Sequence, residues 1–241
     1  MRRDAFIVAA LLIVGGAGMA TAQGMWGPGR GGWGGMMGGW WDSPPPGTAQ
    51  ALSIDQVADM VQEYLNNFWN KDLEIHEVME FDNQFYADVK EKNTGIFAFQ
   101  LLVNKWTGAI VPEPGPNMMW NAKYGPMGMG MMGRGMMGGP GWGWGGRGGY
   151  RDWQNPSREM DITPEQASQY AQAFLDARLP GTRAESSVDV YYGYYTIDVM
   201  KNGEGYGMLG VNGFTGGVWY HTWHGKFVRM KDLDKQKGGR E

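Results

Sequence analysis

Val103-Asn104-Lys105-Trp106-Thr107-Gly108-Ala109-Ile110 and Val211-Asn212-Gly213-Phe214-Thr215-Gly216-Gly217-Val218 are two versions of one phrase. Each closes a run of alternating apolar residues, turns at Thr-Gly and resumes with a β-branched residue, the pattern of a strand, a tight turn and a further strand. Because the phrase occurs twice, the rest of the chain can be searched for whatever else is doubled.

Upstream, Leu52-Ser53-Ile54-Asp55-Gln56-Val57-Ala58 matches Ile162-Thr163-Pro164-Glu165-Gln166-Ala167-Ser168, and Asp88-Val89 matches Asp198-Val199. The first pair of blocks opens helices. Ser53 and Thr163 cap the free amides, Gln56 and Gln166 complete capping boxes three residues on, and Pro164 takes the first helical position. Apolar residues then recur at helical spacing, as Ile54, Val57, Ala58, Val61, Tyr64, Leu65 and Phe68 in one copy and Ala167, Tyr170, Ala171, Phe174 and Leu175 in the other. Beyond each helix the period becomes two. Phe85, Ala87 and Val89 lead through a turn at Lys92–Gly95 to Phe97, Phe99, Leu101 and Val103; Tyr195, Ile197 and Val199 lead through Asn202–Gly205 to Tyr206 and Met208. The expected fold is α+β: two repeated modules, each one helix packed on a small antiparallel sheet.

The 41 glycines among 241 residues punctuate this plan. Residues 1–22 read as a cleaved signal peptide, with Arg2 and Arg3 before the apolar run Ala5–Val14 and the small-x-small pattern Ala20-Thr21-Ala22. Residues 23–50 and 117–160 are Gly/Met/Trp-rich and are expected to be disordered, because such glycine density costs too much backbone entropy to fix. The modules are then 51–116 and 161–230, and 231–241 is a charged tail. The implied location is periplasmic or secreted.

The helix opened by Ser/Thr-x-x-Gln, the strand ending in Asp-Val and the closing Val-Asn-x-(Trp/Phe)-Thr-Gly-x-(Ile/Val) resemble the PepSY domain, over roughly residues 51–112 and 161–220. The resemblance implies a fold more than a chemistry. PepSY domains occur in secreted and membrane-associated bacterial proteins, with protein interaction and peptidase inhibition as the family's roles. Asn104 and Asn212 stand where the family commonly has Asp. No catalytic residues come with the match.

Composition narrows the chemistry. With no Cys there is no disulfide, thiolate site or cysteine nucleophile. A net charge of −4 argues against a nucleic-acid partner, which would need a basic face to displace counterions. His76, His221 and His224 are the only histidines, and none lies in a nucleophile elbow. His76 reads as an ordinary strand residue, and Asp232 and Asp234 as part of a solvated tail.

His221 and His224 could share a metal ion if the chain turns between them, although no carboxylate or third His close in sequence completes a tetrahedral site. Met127, Met129, Met131, Met132, Met136 and Met137 are the other candidate ligands. Thioethers select Cu(I) or Ag(I), and intervening glycines would let several sulfurs converge. Met is equally suited to an adhesive interface. The tryptophans of the Gly-rich segments suit a partner surface or a membrane interface. The sequence therefore implies a non-enzymatic interaction or sensing protein, its partner another cell-envelope protein, with soft-metal binding in the linker. The alternatives are a Cu(I)/Ag(I) storage or delivery protein and a peptidase regulator.

Overall fold

The computed structural model describes residues 50–69, 72–125 and 158–234. The expected signal peptide, nearly all of 23–50, the linker from 126 to 157 and the tail from 235 onward lie outside these residues. Among the described residues no helix is long and apolar enough to cross a membrane.

The architecture is α+β, with helices packed on antiparallel sheets. Helix α1 (Ile54–Phe68) begins at the capping box of Ser53 and Gln56, and it buries Ile54, Val57, Ala58, Val61 and Leu65. These residues meet Ile75, Val78, Ala87, Val89, Leu101 and Val103 on a five-stranded sheet. Burying each Val or Leu of this face contributes roughly 1.5–3 kcal/mol. Phe68, expected on the buried stripe, is 76% exposed at the end of the helix. The strands are β1 (Leu73–Phe81), β2 (Gln84–Glu91), β3 (Phe97–Asn104), β4 (Ile110–Pro112) and β10 (Phe227–Asp232), in the order β10-β1-β2-β3-β4.

After β4 comes a short helix, α2 (Pro116–Trp120). The helix α3 (Pro164–Arg178) then repeats the capping box with Thr163 and Gln166 and buries Ala167, Ala171 and Leu175. It lies on Tyr195, Ile197, Val199, Leu209 and Val211 of a second sheet. That sheet orders β5 (Arg183–Ala184), β7 (Tyr194–Lys201), β8 (Glu204–Asn212) and β9 (Val218–Tyr220), and β6 (Asp189–Val190) also pairs with β7. Where the first sheet has the nine-residue β1, the second has two fragments.

The Thr-Gly phrase has the same hydrogen bonds in both places. The Asn104 side-chain oxygen accepts from the amides of Trp106 and Thr107 at 2.9 and 2.8 Å; Asn212 accepts from Phe214 and Thr215, both at 2.9 Å. An oxygen at this position is what the turn uses, so Asn serves as Asp would. The amides of Gly108 and Gly216 donate to the Asn104 and Asn212 carbonyls at 3.0 and 2.9 Å, and both glycines have φ of +69°. Each lies beneath its helix. A Cβ at Gly108 would come within 2.3 Å of the Met60 methyl, and one at Gly216 within 2.8 Å of the Tyr170 ring. Gly216→Ala should therefore lower stability by about 1–2 kcal/mol, as a left-handed residue acquires a side chain with no room for it. An unchanged urea midpoint would refute this account of the turn.

Two stretches differ from the expected boundaries. Residues 117–125, expected in the linker, pack onto the fold. Asn117 and Asn121 are buried, the Asn121 amide donates to the Ala98 carbonyl at 2.6 Å, and Tyr124 donates to Glu91 at 2.6 Å. Asn121, Lys123 and Tyr124 supply the polar contacts that hold this stretch. The second difference is β10. Its residues, expected partly in the second module and partly in a solvated tail, pair antiparallel with β1, from Glu77↔Asp232 to Phe81↔Phe227. Three ion pairs hold it there: Arg229 to Glu80 at 2.7 Å, Lys231 to Asp55 at 2.6 Å, and Asp234 to Lys90. Asp234 also contacts His76 at 2.7 Å, giving His76 a charged partner that the sequence did not suggest. β10 covers a sheet edge that would otherwise expose unpaired amides.

The two sheets meet through the faces turned away from their helices. Met79, Phe81, Tyr86 and Leu102 of the first sheet pack with Met208 of the second, and Phe227 and Trp223 close one side.

A sealed Glu–His–His cluster between the sheets

Glu113 follows directly after β4, and His221 directly after β9. Both are placed by one kind of bond. The Glu113 amide donates to the Gln100 carbonyl at 2.9 Å, and the His221 amide to the Met208 carbonyl at 3.0 Å. Each bond extends a ladder by one step past its short edge strand, so both side chains point between the sheets.

His224 arrives from the turn that carries the chain toward β10. Its ring stacks on Phe81, with centroids 4.4 Å apart, and His221 stacks on Trp223 at 4.8 Å. Glu113 Oε1 lies 2.9 Å from His224 Nε2, 3.3 Å from His221 Nδ1 and 3.1 Å from Trp223 Nε1, which donates to it. All three side chains of the cluster are 1% exposed or less.

Distance and angle disagree here in an informative way. Both imidazoles are close enough to Glu113 for ion pairing, yet His221 Nδ1, His224 Nε2 and Glu113 Oε2 make no aligned hydrogen bond. The far nitrogen of each ring is held by a carboxamide: Asn117 Nδ2 lies 3.0 Å from His221 Nε2, and Gln84 Nε2 lies 3.2 Å from His224 Nδ1. Asn117 reaches this position because Gly210 in β8 has no side chain; a Cβ there would lie 2.4 Å from Asn117 Oδ1. Burial alone would raise the Glu113 carboxyl, but charge on His221 and the contacts of both imidazoles outweigh it and hold it at about 2. Burial pushes His224 down, against the pull of Glu113.

A hydrogen-bonded chain leads from this cluster across the sheet interface. Asn117 donates to Gln100 Oε1 at 3.2 Å, which also accepts from Tyr194 at 3.1 Å. Gln100 Nε2 donates to Thr196 of the second sheet at 2.8 Å and to the Tyr86 hydroxyl at 3.1 Å. Tyr86 donates to Asp88 at 3.2 Å, and Tyr191 donates to the other Asp88 oxygen. Asp88 is fully buried, and desolvation, followed by the charges of Asp189 and Glu77, pushes its carboxyl well above the usual range.

The two predicted histidines are thus brought together, and the carboxylate that the local sequence did not offer comes from the other sheet. The sequence reading missed Glu113 because it is separated from His221 by more than a hundred residues. Its one available signal was positional: Glu113 follows Ile110 as His221 follows Val218. Met127, Met129, Met131, Met132, Met136 and Met137 lie outside the described residues. Of the neighbouring aromatics, Trp223 and Phe227 pack against the first sheet and Tyr220 against the second core.

Fold and site together define an α+β protein of helices on antiparallel sheets, with a buried Glu–His–His cluster where the sheets meet. No family model matches the sequence, and no curated protein matches it. Among solved structures the chain is similar to the Bacillus megaterium YpeB C-terminal domain, at 10% identity and a TM-score of 0.22, covering 80% of this chain and 68% of that one. A superposition this loose carries no argument about role.

Proposed function

We propose that this chain is a non-enzymatic, exported protein of the cell envelope, in which two PepSY-like copies of one helix-and-sheet unit act together as an interaction or sensing module. The observation that carries this reading is the buried hydrogen-bonded chain from Asp88 through Tyr86, Gln100 and Asn117 to His221. Its groups bond to one another across the two sheets, and the side chains of Glu113, His221 and His224 beside it are 1% exposed or less. Such a network couples one sheet to the other, which suits a binding or sensing role better than turnover. The duplication is supported by the capping boxes at Ser53 and Thr163 and by the matched bonds of Asn104 and Asn212.

The experiment is to isolate the protein from cells grown with and without copper, cross-link it, and measure bound metal and stoichiometric envelope partners. A partner whose binding depends on the intact sheet interface is expected, and Gln100→Leu should weaken it. Substrate turnover by the purified chain, abolished by Glu113→Gln, would make it an enzyme and end this reading.

The Met-rich segment gives a separate expectation. Replacing Met127, Met129, Met131, Met132, Met136 and Met137 by Leu should abolish Cu(I) binding in competition with a Cu(I) chelator while leaving the near-UV circular dichroism unchanged. Equal, weak Cu(I) binding by both forms would leave the segment an adhesive linker only.

A further inference from the structure

We infer that Glu113, His221 and His224 form a binding site for one borderline divalent transition ion of the Zn(II) class, distinct from any soft-metal site in the Met-rich segment. The carrying observation is a coincidence of unsatisfied atoms. A folded interior leaves few buried polar atoms without hydrogen bonds, because each such atom has given up water and gained no partner in its place. Here three of them, Glu113 Oε2, His221 Nδ1 and His224 Nε2, belong to one cluster and are of metal-ligating type. One ligand atom from each residue lies within 4.8 Å of the others.

The spacing fits an ion of this class. Zinc bonds of about 2.0–2.1 Å to nitrogen and oxygen give a tetrahedron with edges of about 3.3 Å, and Glu113 Oε1 lies 2.9 Å from His224 Nε2 and 3.3 Å from His221 Nδ1. Trp223 donates to one lone pair of that same Oε1, and Oε2 has no hydrogen-bond partner, so the carboxylate keeps capacity for an ion on either oxygen. Two imidazoles and a carboxylate, with no sulfur among them, favour Zn(II), Co(II), Ni(II) or Cu(II) over Cu(I), and over the oxygen-preferring Mg(II) and Ca(II).

The surroundings have the form of a metal site's outer shell. A ligating imidazole donates its far N–H to an acceptor that fixes the ring. Asn117 and Gln84 stand at those far nitrogens, and turning a carboxamide over presents its oxygen there in exchange for the bond its nitrogen makes, to Gln100 for Asn117 and to the Trp223 carbonyl for Gln84. The Asn117 oxygen is itself buried without a hydrogen-bond partner. The three ligands also join separate parts of the molecule: Glu113 directly follows β4 of the first sheet, while His221 and His224 lie on the crossing from β9 to β10. An ion held by all three would pin that crossing.

The test uses the full chain. It is unfolded in urea with a chelator, freed of both, and refolded with or without one equivalent of Zn(II), so that the sealed site can load. The wild type should retain one zinc per chain through gel filtration and melt several degrees higher than the metal-free protein. The variants Glu113→Gln and His224→Gln should each bind Zn(II) at least tenfold more weakly, and the six-Met→Leu variant should bind it undiminished. That last comparison separates this site from the Cu(I) expectation above. Should the Gln variants fail to fold, refolding the wild type with Co(II) decides: the intense visible bands of a four-coordinate ion support the site. Failure of the folded wild type to retain zinc overturns the inference, as does retention by folded Gln variants equal to that of the wild type.

Discussion

Glu77→Gln is expected to stabilise the protein at pH 8, by on the order of 3 kcal/mol, and to leave its stability unchanged at pH 4. Glu77 is 9% exposed, and desolvation, reinforced by the charges of Asp198, Asp189, Asp232 and Glu185, pushes its carboxyl up to about 9. In the unfolded chain the same group releases its proton near pH 4.5. Below that pH both states hold the proton and the group contributes no difference. As pH rises from about 4.5 to 9 the unfolded chain gains the free energy of ionising and the folded chain does not, so stability falls across that window. A Gln side chain has no proton to release, which removes the loss.

Burial does the same to Asp198, raised to about 7 with help from Asp189 and Glu185, and to Asp189, raised to about 6 by burial against the opposing charge of His76. Glu91 and Glu113 run the other way. Both are held at about 2, so the stability they contribute is lost as pH falls from about 4.5 through 2. For Glu91, burial is outweighed by hydrogen bonds from Lys123, Tyr124, Thr94 and Tyr192. The stability maximum should therefore lie near pH 4–6. Urea midpoints for the two forms from pH 3 to 9 check this, and parallel curves for Glu77→Gln and wild type would contradict it.

Ending the chain after Lys226 should cost on the order of 3–5 kcal/mol and produce self-association. The shortened protein loses the β10 ladder, the ion pairs of Arg229, Lys231 and Asp234, and the packing of Phe227 on Phe81. Exposed ion pairs contribute up to about 1 kcal/mol each, so most of the loss comes from the strand and the apolar ring. It also opens the edge of β1 along Glu77–Phe81, which is then able to pair with a second copy. Urea unfolding and light scattering measure both effects. A monodisperse monomer with the wild-type midpoint would refute the structural role given to β10.

What could be read from the residues alone follows from the range over which each interaction acts. Ser53 with Gln56, Thr163 with Gln166, the alternation through Phe85–Val89 and the turn at Thr215-Gly216 are all local devices, decided within a few positions, and each stands where its residues suggest. The pairing of Met230 with Met79 is decided by which edge is left open once a sheet has formed, and the short charged stretch around it carries no sign of that. The first sheet's own β1 is legible only as a strand around His76, without bounds, since its alternation breaks at the bulge between Ile75 and Glu77. The cluster divides along the same line. His221 and His224 are neighbours in sequence and were legible as a pair, whereas Glu113 joins them only because two separate ladders each run one step past an edge strand.

The crossing of β10 to the first sheet also sets a timetable. A ribosome makes the chain from its N-terminus, and Leu73–Phe81 is synthesised long before Phe227–Asp232, the segment that lies against it. Until those last residues emerge, the earlier half waits with the Glu77–Phe81 flank of β1 bare of the strand that pairs with it. Its completion is tied to the end of synthesis, so a ribosome that stalls anywhere in the second half leaves behind a first half with an open seam for quality-control factors to find.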